Sequence, residues 1–250
     1  MKLFGFIPTR MGSTRLPGKA LMKIGNNTLV EEVYKKSNKF NGWSELSVAI
    51  CDEEVKKLLT KKKVPFIMTS KLHKRCLDRV CEAALKIKKI KKNDIIVCIQ
   101  GDEVMVTANM IKKLVSPFKK KSCNSTILSM KINHRNEYED ENVVKLISNN
   151  QNKVLIGSRS KLPYMKKFKK GIAKKIIGIY AFRFNSLIKF KNTRQSFLEK
   201  IESCDTNRIC ESTGDLYEVE YPHQEIIAID TIKDLKRVRN IYKKKRLKVL

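Results

Sequence analysis

No run of 18 or more apolar residues occurs anywhere in the 250-residue chain, which excludes a bilayer-spanning helix of ordinary length. A leader pattern is also missing. The N-terminus reads straight into a strand-like run, "LFGFI", so a cytoplasmic setting is the expectation. Cysteine pairing is absent too. Cys51, Cys76, Cys81, Cys98, Cys123, Cys204 and Cys210 are odd in number, several sit in apolar runs, and none forms a Cys-x-x-Cys pair. A disulfide framework or a zinc site is therefore not expected. His73, His134 and His223 are scattered and make no metal-ligand spacing.

Acidic residues are scarce. Twenty-five Asp and Glu stand against 54 Lys and Arg, leaving a formal charge of +29. Such an excess raises nucleic-acid binding as one reading. Its distribution argues against that reading: lysine runs recur at Lys61–Lys63, Lys88–Lys92, Lys119–Lys121, Lys166–Lys170 and Lys243–Lys245. A nucleic-acid site would cluster arginine with aromatics on one surface. Attraction of small anionic substrates accounts for the charge more simply.

Two phosphate-binding signatures are lacking. The stretch "FIPTRMGSTRLPGK" (Phe6–Lys19) has the vocabulary of a phosphate cradle, with Thr9, Arg10, Gly12, Ser13, Arg15, Gly18 and Lys19 after an apolar run. Yet five residues separate Gly12 from Gly18 and Ala20 follows Lys19, which breaks the P-loop spacing. The chain also turns at Gly25-Asn26-Asn27 where a P-loop would enter its helix. A Gly-x-Gly-x-x-Gly fingerprint is missing as well. What remains is a strand and a long basic loop, which alone is equally a solvated surface.

Strand and helix signals alternate through the first half, with no internal repeat. Strand-like runs lie at Leu3–Ile7, Leu46–Ile50, Pro65–Met68 and Ile95–Ile99; helix-like runs lie near Leu29–Asn38, Glu53–Lys61, Leu77–Lys88 and Ala108–Phe118. "LFGFI" and "IIVCI" are continuously apolar, as parallel strands covered on both faces are. The expectation is an α/β, doubly wound, mostly parallel sheet. From about residue 125 the runs "STILSMKI", "NVVKLIS", "KVLIGS" and "IIGIYAFRF" suggest antiparallel or mixed pairing. One helical region is expected across "FLEKIESCDTNRICEST", ending at Gly214 as a C-cap. "EIIAID" reads as a late strand, followed by a helix with Thr231 as N-cap.

In an open α/β sheet, ligands sit beyond the carboxyl ends of the strands. Three chemistry-bearing segments fall there: the loop after Ile7, "QGDE" after Ile99, and Asp230 at the end of "EIIAID". Each aspartate alone is equally a turn or cap residue. Together with the basic loop they form a candidate phosphate–metal site, because Mg²⁺ takes one or two carboxylates and completes its shell with phosphate oxygens.

"IPTRMGSTRLPGKAL", "IQGDE", "NVVKLI", "GSRSKLPY", "GIYAFR" and "AIDTIKDLKRVR" resemble, in order and over nearly the whole chain, the motifs of the CMP-KDO synthetases, the 3-deoxy-manno-octulosonate (KDO) cytidylyltransferases. The opening loop is shared more widely among nucleotidyltransferases, the spore-coat polysaccharide type included. The resemblance implies a Rossmann-like nucleotidyltransferase domain over residues 1–250. It also implies an inserted, mixed or antiparallel dimerisation subdomain near 125–185, and hence a homodimer. The implied reaction joins CMP from CTP to an acidic 2-keto sugar, with Mg²⁺ as cofactor, for lipopolysaccharide or other surface polysaccharide synthesis. By the same resemblance, Arg10 and Lys19 grip the triphosphate, with Gly12, Ser13, Arg15, Asp78 and Arg79 on the nucleotide side. Asp102 and Asp230 hold the metal. Gln100 faces the sugar, and Arg159 faces the sugar pocket or a subunit interface. Glu202 and Asp205, by their own spacing three apart on one helical face, either bind sugar hydroxyls or offset the many lysines. The sugar-side motifs depart from the family pattern. Arg75-Cys76-Leu77 stands where the family has Ser-Gly-Thr, Ile176 lies where it carries a His, and Cys204-Asp205-Thr206-Asn207-Arg208 replaces its Leu-Glu-Gln-Leu-Arg.

Overall fold

The structure is a computed structural model that describes residues 1–120 and 122–247. Lys121 and the side chain of Lys245, members of two of the lysine runs, lie outside the described residues. In chain order the elements are β1 (Leu3–Pro8), a hairpin of β2 (Lys23–Ile24) and β3 (Asn27–Thr28), α1 (Leu29–Ser37), β4 (Glu45–Ile50), α2 (Glu53–Lys61), β5 (Phe66–Met68), α3 (Cys76–Leu85) and β6 (Ile95–Ile99). There follow α4 (Ala108–Val115), β7 (Ser125–Lys131), α5 (Arg135–Glu139), β8 (Lys145–Ser148), β9 (Val154–Ser158), β10 (Lys174–Arg183), α6 (Phe184–Asn192), α7 (Phe197–Glu202), α8 (Asp205–Ser212), β11 (Tyr217–Tyr221) and α9 (Ile232–Leu247).

The chain forms two compact units. The N-terminal unit comprises Lys2–Lys89, Cys98–Asn109 and the chain from Glu225 on; the central unit comprises Ile90–Val97 and Met110–Gln224, with Met1. The expected subdomain at 125–185 is thus part of a larger unit that runs on through α6, α7, α8 and β11.

In the N-terminal unit β1 pairs in parallel with β4, and β4 with β5. Phe4, Phe6 and Ile7 of β1 are buried, as are Val48, Ala49 and Ile50 of β4, which is why both strands read as apolar runs. A side chain at Gly5 would meet Leu46 Cδ1 at 2.6 Å, so that leucine would have to shift. The helix α1 starts at a capping box, in which Thr28 accepts from the Glu31 amide and Glu31 reaches back to the Thr28 amide. Thr231 and Asp234 make the same reciprocal arrangement at the start of α9, so the expected cap is present.

In the central unit β7 pairs antiparallel with β10, and β8 antiparallel with both β9 and β10. β11 lies parallel to β7. Gly214 has a positive φ of 58°, and its amide donates to the Ile209 carbonyl, the expected helix end. Two local expectations are corrected. "EIIAID" is not a strand: residues 222–230 carry no regular structure, and the strand is the preceding Tyr217–Tyr221. The single helix expected from Phe197 is two, α7 and α8, broken where Ser203 takes a left-handed conformation at φ 52°.

Candidate active site

The site is built at the ends of β1 and β6 in the N-terminal unit. After β1, the chain folds around one carbonyl. The amides of Ser13 and Gly18 both donate to Met11 O, at 2.8 and 3.0 Å. The Met11 amide donates to Asp52 Oδ2 at 2.9 Å, and the Leu16 amide to Ser13 Oγ at 3.3 Å. Leu16 and Ala20 are buried and anchor the far side of the loop. Gly18 carries a φ of 70°, a left-handed turn that glycine takes without a Cβ penalty. This turn delivers Lys19 inward, while Arg10 and Gly12 stay exposed.

After β6, Gly101 lies against the end of β1. A side chain there would meet Pro8 O and Thr9 Oγ1, each at 2.8 Å. That approach seats Asp102 beside Lys19. The extended segment before α9 is held to the same place by the Ile229 amide, which donates to Asp102 O at 3.1 Å. Asp230 therefore reaches the site without belonging to a strand.

The three segments converge on one ammonium. Lys19 Nζ donates to Asp102 Oδ2 at 2.7 Å, to Ile229 O at 3.1 Å and to Asp230 Oδ1 at 3.2 Å. Arg15 donates to the same Asp230 oxygen at 2.9 Å. Burial pushes the Lys19 pKa down, but the charges of Asp102 and Asp230 and their hydrogen bonds push it up by more, leaving it above its ordinary value. The lysine is a fixed cation at neutral pH. Asp102 Oδ1 is buried with no hydrogen-bond partner, an exposed cost unless something else uses it.

The remaining expected residues separate into two groups. Gln100 donates through Nε2 to Cys76 Sγ at 3.3 Å, so one of the three departures from the family pattern touches it. Leu77, the third residue of that departure, points into the core. Asp78 sits half-buried in the first turn of α3. Arg79 is buried and braces the chain after β5, donating to Thr69 Oγ1, Ser70 O and His73 O; neither joins the Lys19 cluster.

Arg159, Glu202 and Asp205 lie in the central unit. Glu202 accepts from Ser158 Oγ at 2.6 Å and from the Arg159 amide at 2.9 Å. The Arg159 side chain donates back to Glu202 O and to Glu141 O, both at 2.9 Å. Asp205 is buried at the start of α8. Beneath this group, Lys145 gives its ammonium to the carbonyls of Asp140, Val143 and Arg159. The remaining departures gather around Gly157. A side chain built there would meet Ile176 Cδ1 at 3.2 Å, Cys204 Sγ at 3.3 Å and Thr206 Cβ at 3.5 Å, and Asn207 exchanges two hydrogen bonds with the Gly157 main chain.

Sequence reasoning missed Asp52, which positions the loop through Met11, and the Ile229 carbonyl. Asp52 carried the signal that exposed Asp102: an acid immediately after an apolar strand. Among the described residues no group of three or more His, Cys, Asp or Glu converges as a metal cage, all seven cysteines are free thiols, and no helix is long and apolar enough to cross a membrane.

Residues 4–245 match the family described as cytidylyltransferase. The 3-deoxy-manno-octulosonate cytidylyltransferase of Fusobacterium nucleatum subsp. nucleatum is 33% identical over 250 residues, covering 100% of both chains. That of Lawsonia intracellularis is 34% identical over 239 residues, 95% of this chain and 93% of its own. A solved structure of a CMP:2-keto-3-deoxy-manno-octonic acid synthetase complexed with CTP matches with a TM-score of 0.87 at 26% identity, over 98% of this chain and 100% of that one. A cytidylyltransferase from Leptospira borgpetersenii, 18% identical with a TM-score of 0.60 over 98% of this chain and 95% of its own, shares the fold. On these matches the chain belongs to the cytidylyltransferase family, together with the 3-deoxy-manno-octulosonate cytidylyltransferases it resembles from end to end.

Proposed function

We propose that this protein transfers CMP from CTP to the anomeric hydroxyl of KDO, or of a close acidic 2-keto sugar, and releases pyrophosphate, for lipopolysaccharide synthesis. One observation carries the reading. In a chain similar throughout to 3-deoxy-manno-octulosonate cytidylyltransferases, the basic loop, the "QGDE" turn and the segment before α9 converge on a single Lys19–Asp102–Asp230 cluster.

In the reaction the sugar oxygen bonds to the α-phosphorus as the bond to the β-phosphate oxygen breaks. Negative charge grows on the non-bridging and leaving oxygens, so the work is positioning and charge stabilisation. Lys19, Arg15 and the exposed Arg10 supply cations on the triphosphate side, and Ser13 and the amides around Gly12 line the loop. The Asp102–Asp230 pair fits a hard divalent cation: its donors are carboxylate oxygens, and Asp102 Oδ1 has no hydrogen-bond partner within the protein. Mg²⁺ held there would neutralise phosphate charge and favour ionisation of the sugar hydroxyl.

For the sugar, Gln100 is the candidate contact in the N-terminal unit; in the central unit the candidates are Glu202, Asp205 and Arg159, the last as a charge-assisted donor to a carboxylate. The departures around Gly157 and at Cys76 make the sugar's substituents the point to test. Loss of polar partners in such a site discriminates between polar analogues by up to roughly 10⁴-fold. The protein works as a cytoplasmic homodimer, with the segment near 125–185 as the subunit contact.

The test is pyrophosphate release from each of the four nucleoside triphosphates against KDO, amino-substituted octulosonates, nonulosonates and a neutral sugar phosphate. Turnover that requires CTP, a divalent cation and an acidic 2-keto sugar is expected. Activity on the neutral sugar phosphate alone would remove the reading. Sedimentation at micromolar concentration checks the dimer, and a monomer there would contradict it.

A further inference from the structure

The Lys19 ammonium has three N–H groups, and all three are used, on Asp102 Oδ2, Ile229 O and Asp230 Oδ1. It has none to spare for a phosphate. Each carboxylate gives one oxygen to these cations. Asp102 presents Oδ2 to Lys19 while its Oδ1 is buried, and Asp230 Oδ1 serves both Lys19 and Arg15. The two carboxylates and two cations balance, so a divalent cation added by itself would leave the cluster doubly positive. A triphosphate changes both sides of that balance. It offers Lys19 and Arg15 phosphate oxygens in place of the carboxylates, and it brings the negative charge that a metal needs.

Resting on the proposed function, we infer that Lys19 is the resident counter-cation of the Asp102–Asp230 pair in the nucleotide-free protein. It closes the pair to divalent metal, and the incoming triphosphate opens it by drawing Lys19 off. The nucleotide, alone or already carrying its metal, enters first; free metal does not preload the enzyme. Lys19 thus has two successive sets of partners. Its position makes the exchange local, because Gly18 and the short turn at Lys19–Leu21 set its backbone while only the side chain must move.

The experiment is Mn²⁺ binding without nucleotide, read as loss of the free-ion paramagnetic resonance signal. It compares the wild type with Lys19→Met, Lys19→Gln, Arg15→Met and the double variant Lys19→Met/Asp102→Asn, each first checked for folding by circular dichroism. The wild type is expected to bind weakly. Lys19→Met and Lys19→Gln, which lose the charge, should bind roughly tenfold tighter or more, as expected when a unit charge within hydrogen-bonding distance is removed. The double variant should lose that gain, and Arg15→Met should gain less. A non-hydrolysable CTP analogue should restore tight Mn²⁺ binding to the wild type. Wild-type binding as tight as that of Lys19→Met, or an equal gain in Arg15→Met, would overturn the inference. Two variants at Lys19 keep the test available if one misfolds. Turnover of CTP and KDO by the wild type separates the two readings. Turnover without the Lys19 gain fails the counter-cation alone; the gain without turnover fails the proposed reaction.

Discussion

In the N-terminal unit, Lys19 sits between Asp102 and Asp230 with side chains 17%, 17% and 20% exposed. In the central unit, Arg208 pairs with Glu199 at 2% and 0% exposure. The Arg208 guanidinium makes two hydrogen bonds to Glu199, at 2.8 and 2.6 Å, and stacks on Phe190 with its centre 4.0 Å from the ring centroid. Both clusters pair cations with carboxylates, yet they are built for different ends. The buried pair has shed its water, so neither partner can be replaced without stranding the other. The N-terminal cluster is partly exposed and keeps one buried carboxylate oxygen, Asp102 Oδ1, without a hydrogen-bond partner, which is what the proposed exchange of its partners for a substrate's requires. Accessibility and leftover hydrogen-bonding capacity, more than charge, separate the two clusters.

The largest effect that tests this contrast is catalytic. Asp102→Asn and Asp230→Asn should each lower kcat/KM by about 10²–10³, the range seen when one group stabilising transition-state charge is removed. Thermal midpoints should change little, because Asn keeps the side chain's size and an oxygen to accept from Lys19. A large fall in midpoint with retained turnover would class these aspartates with the buried pair. The next effect is the converse. Arg208→Met should cost about 3–5 kcal/mol of unfolding free energy by denaturant titration, the penalty of leaving a buried charge unpaired. Arg208→Met with Glu199→Leu should recover most of it. A single variant as stable as the wild type would show that the pair is not sealed.

The part of this arrangement that was legible in the sequence was the part carried by local chemistry. β1, β4 and β6 announced themselves because strands covered on both faces are continuously apolar. Asp102 was legible because an acid directly after such a strand falls at its carboxyl end. Thr231 was legible because its capping partner, Asp234, lies three residues on. What failed depended on distant partners. "EIIAID" has a strand's composition, but a ladder needs a neighbour, and the Ile229 amide finds only Asp102 O. "YEVEY" is a strand whose acidic Glu218 is buried; Lys174, Ser129 and Ser148 compensate it from elsewhere in the chain. The break at Ser203 was hidden because a serine at positive φ carries no glycine or proline marker. The resemblance put Lys19 on the triphosphate and Asp102 and Asp230 on a metal; the sharing of Lys19 between those two aspartates, each more than eighty residues away, was not legible in the sequence.

A smaller effect probes how the open cluster is positioned. Gly101→Ala would put a methyl group 2.8 Å from Pro8 O and Thr9 Oγ1, so the ends of β1 and β6 must part. The strain should cost about 1–3 kcal/mol, as overpacking does. Because Asp102 follows directly, kcat should fall as well. Equal stability and equal kcat would mean that the two strand ends are not held to this spacing. Gly12→Ala is the control in the same region: nothing lies within 4 Å of a side chain there, and its stability should be unchanged.

The smallest effect concerns pH and lies in the sealed class. Burial pushes Lys145 down to about 8, with Arg159 adding to that fall and Asp140, Glu202 and Glu141 opposing it. In the unfolded chain the same lysine titrates near its ordinary 10.5. Below pH 8 both states hold the proton, and the cost of burying the charge is present in full. Between about 8 and 10.5 the unfolded chain binds a proton that the folded chain has released, so this group makes stability rise with pH across that window. Lys145→Met removes the titration but leaves the carbonyls of Asp140, Val143 and Arg159 without their donor, at about 1–3 kcal/mol for a stranded buried group. The stability of the wild type minus that of Lys145→Met should therefore rise as pH goes from 8 towards 10. Other titrating groups are common to both proteins and cancel in the difference. Urea unfolding at four pH values measures it. A difference that stays flat, or falls, would show that Lys145 keeps its proton and that its three carbonyls hold it as a permanent cation.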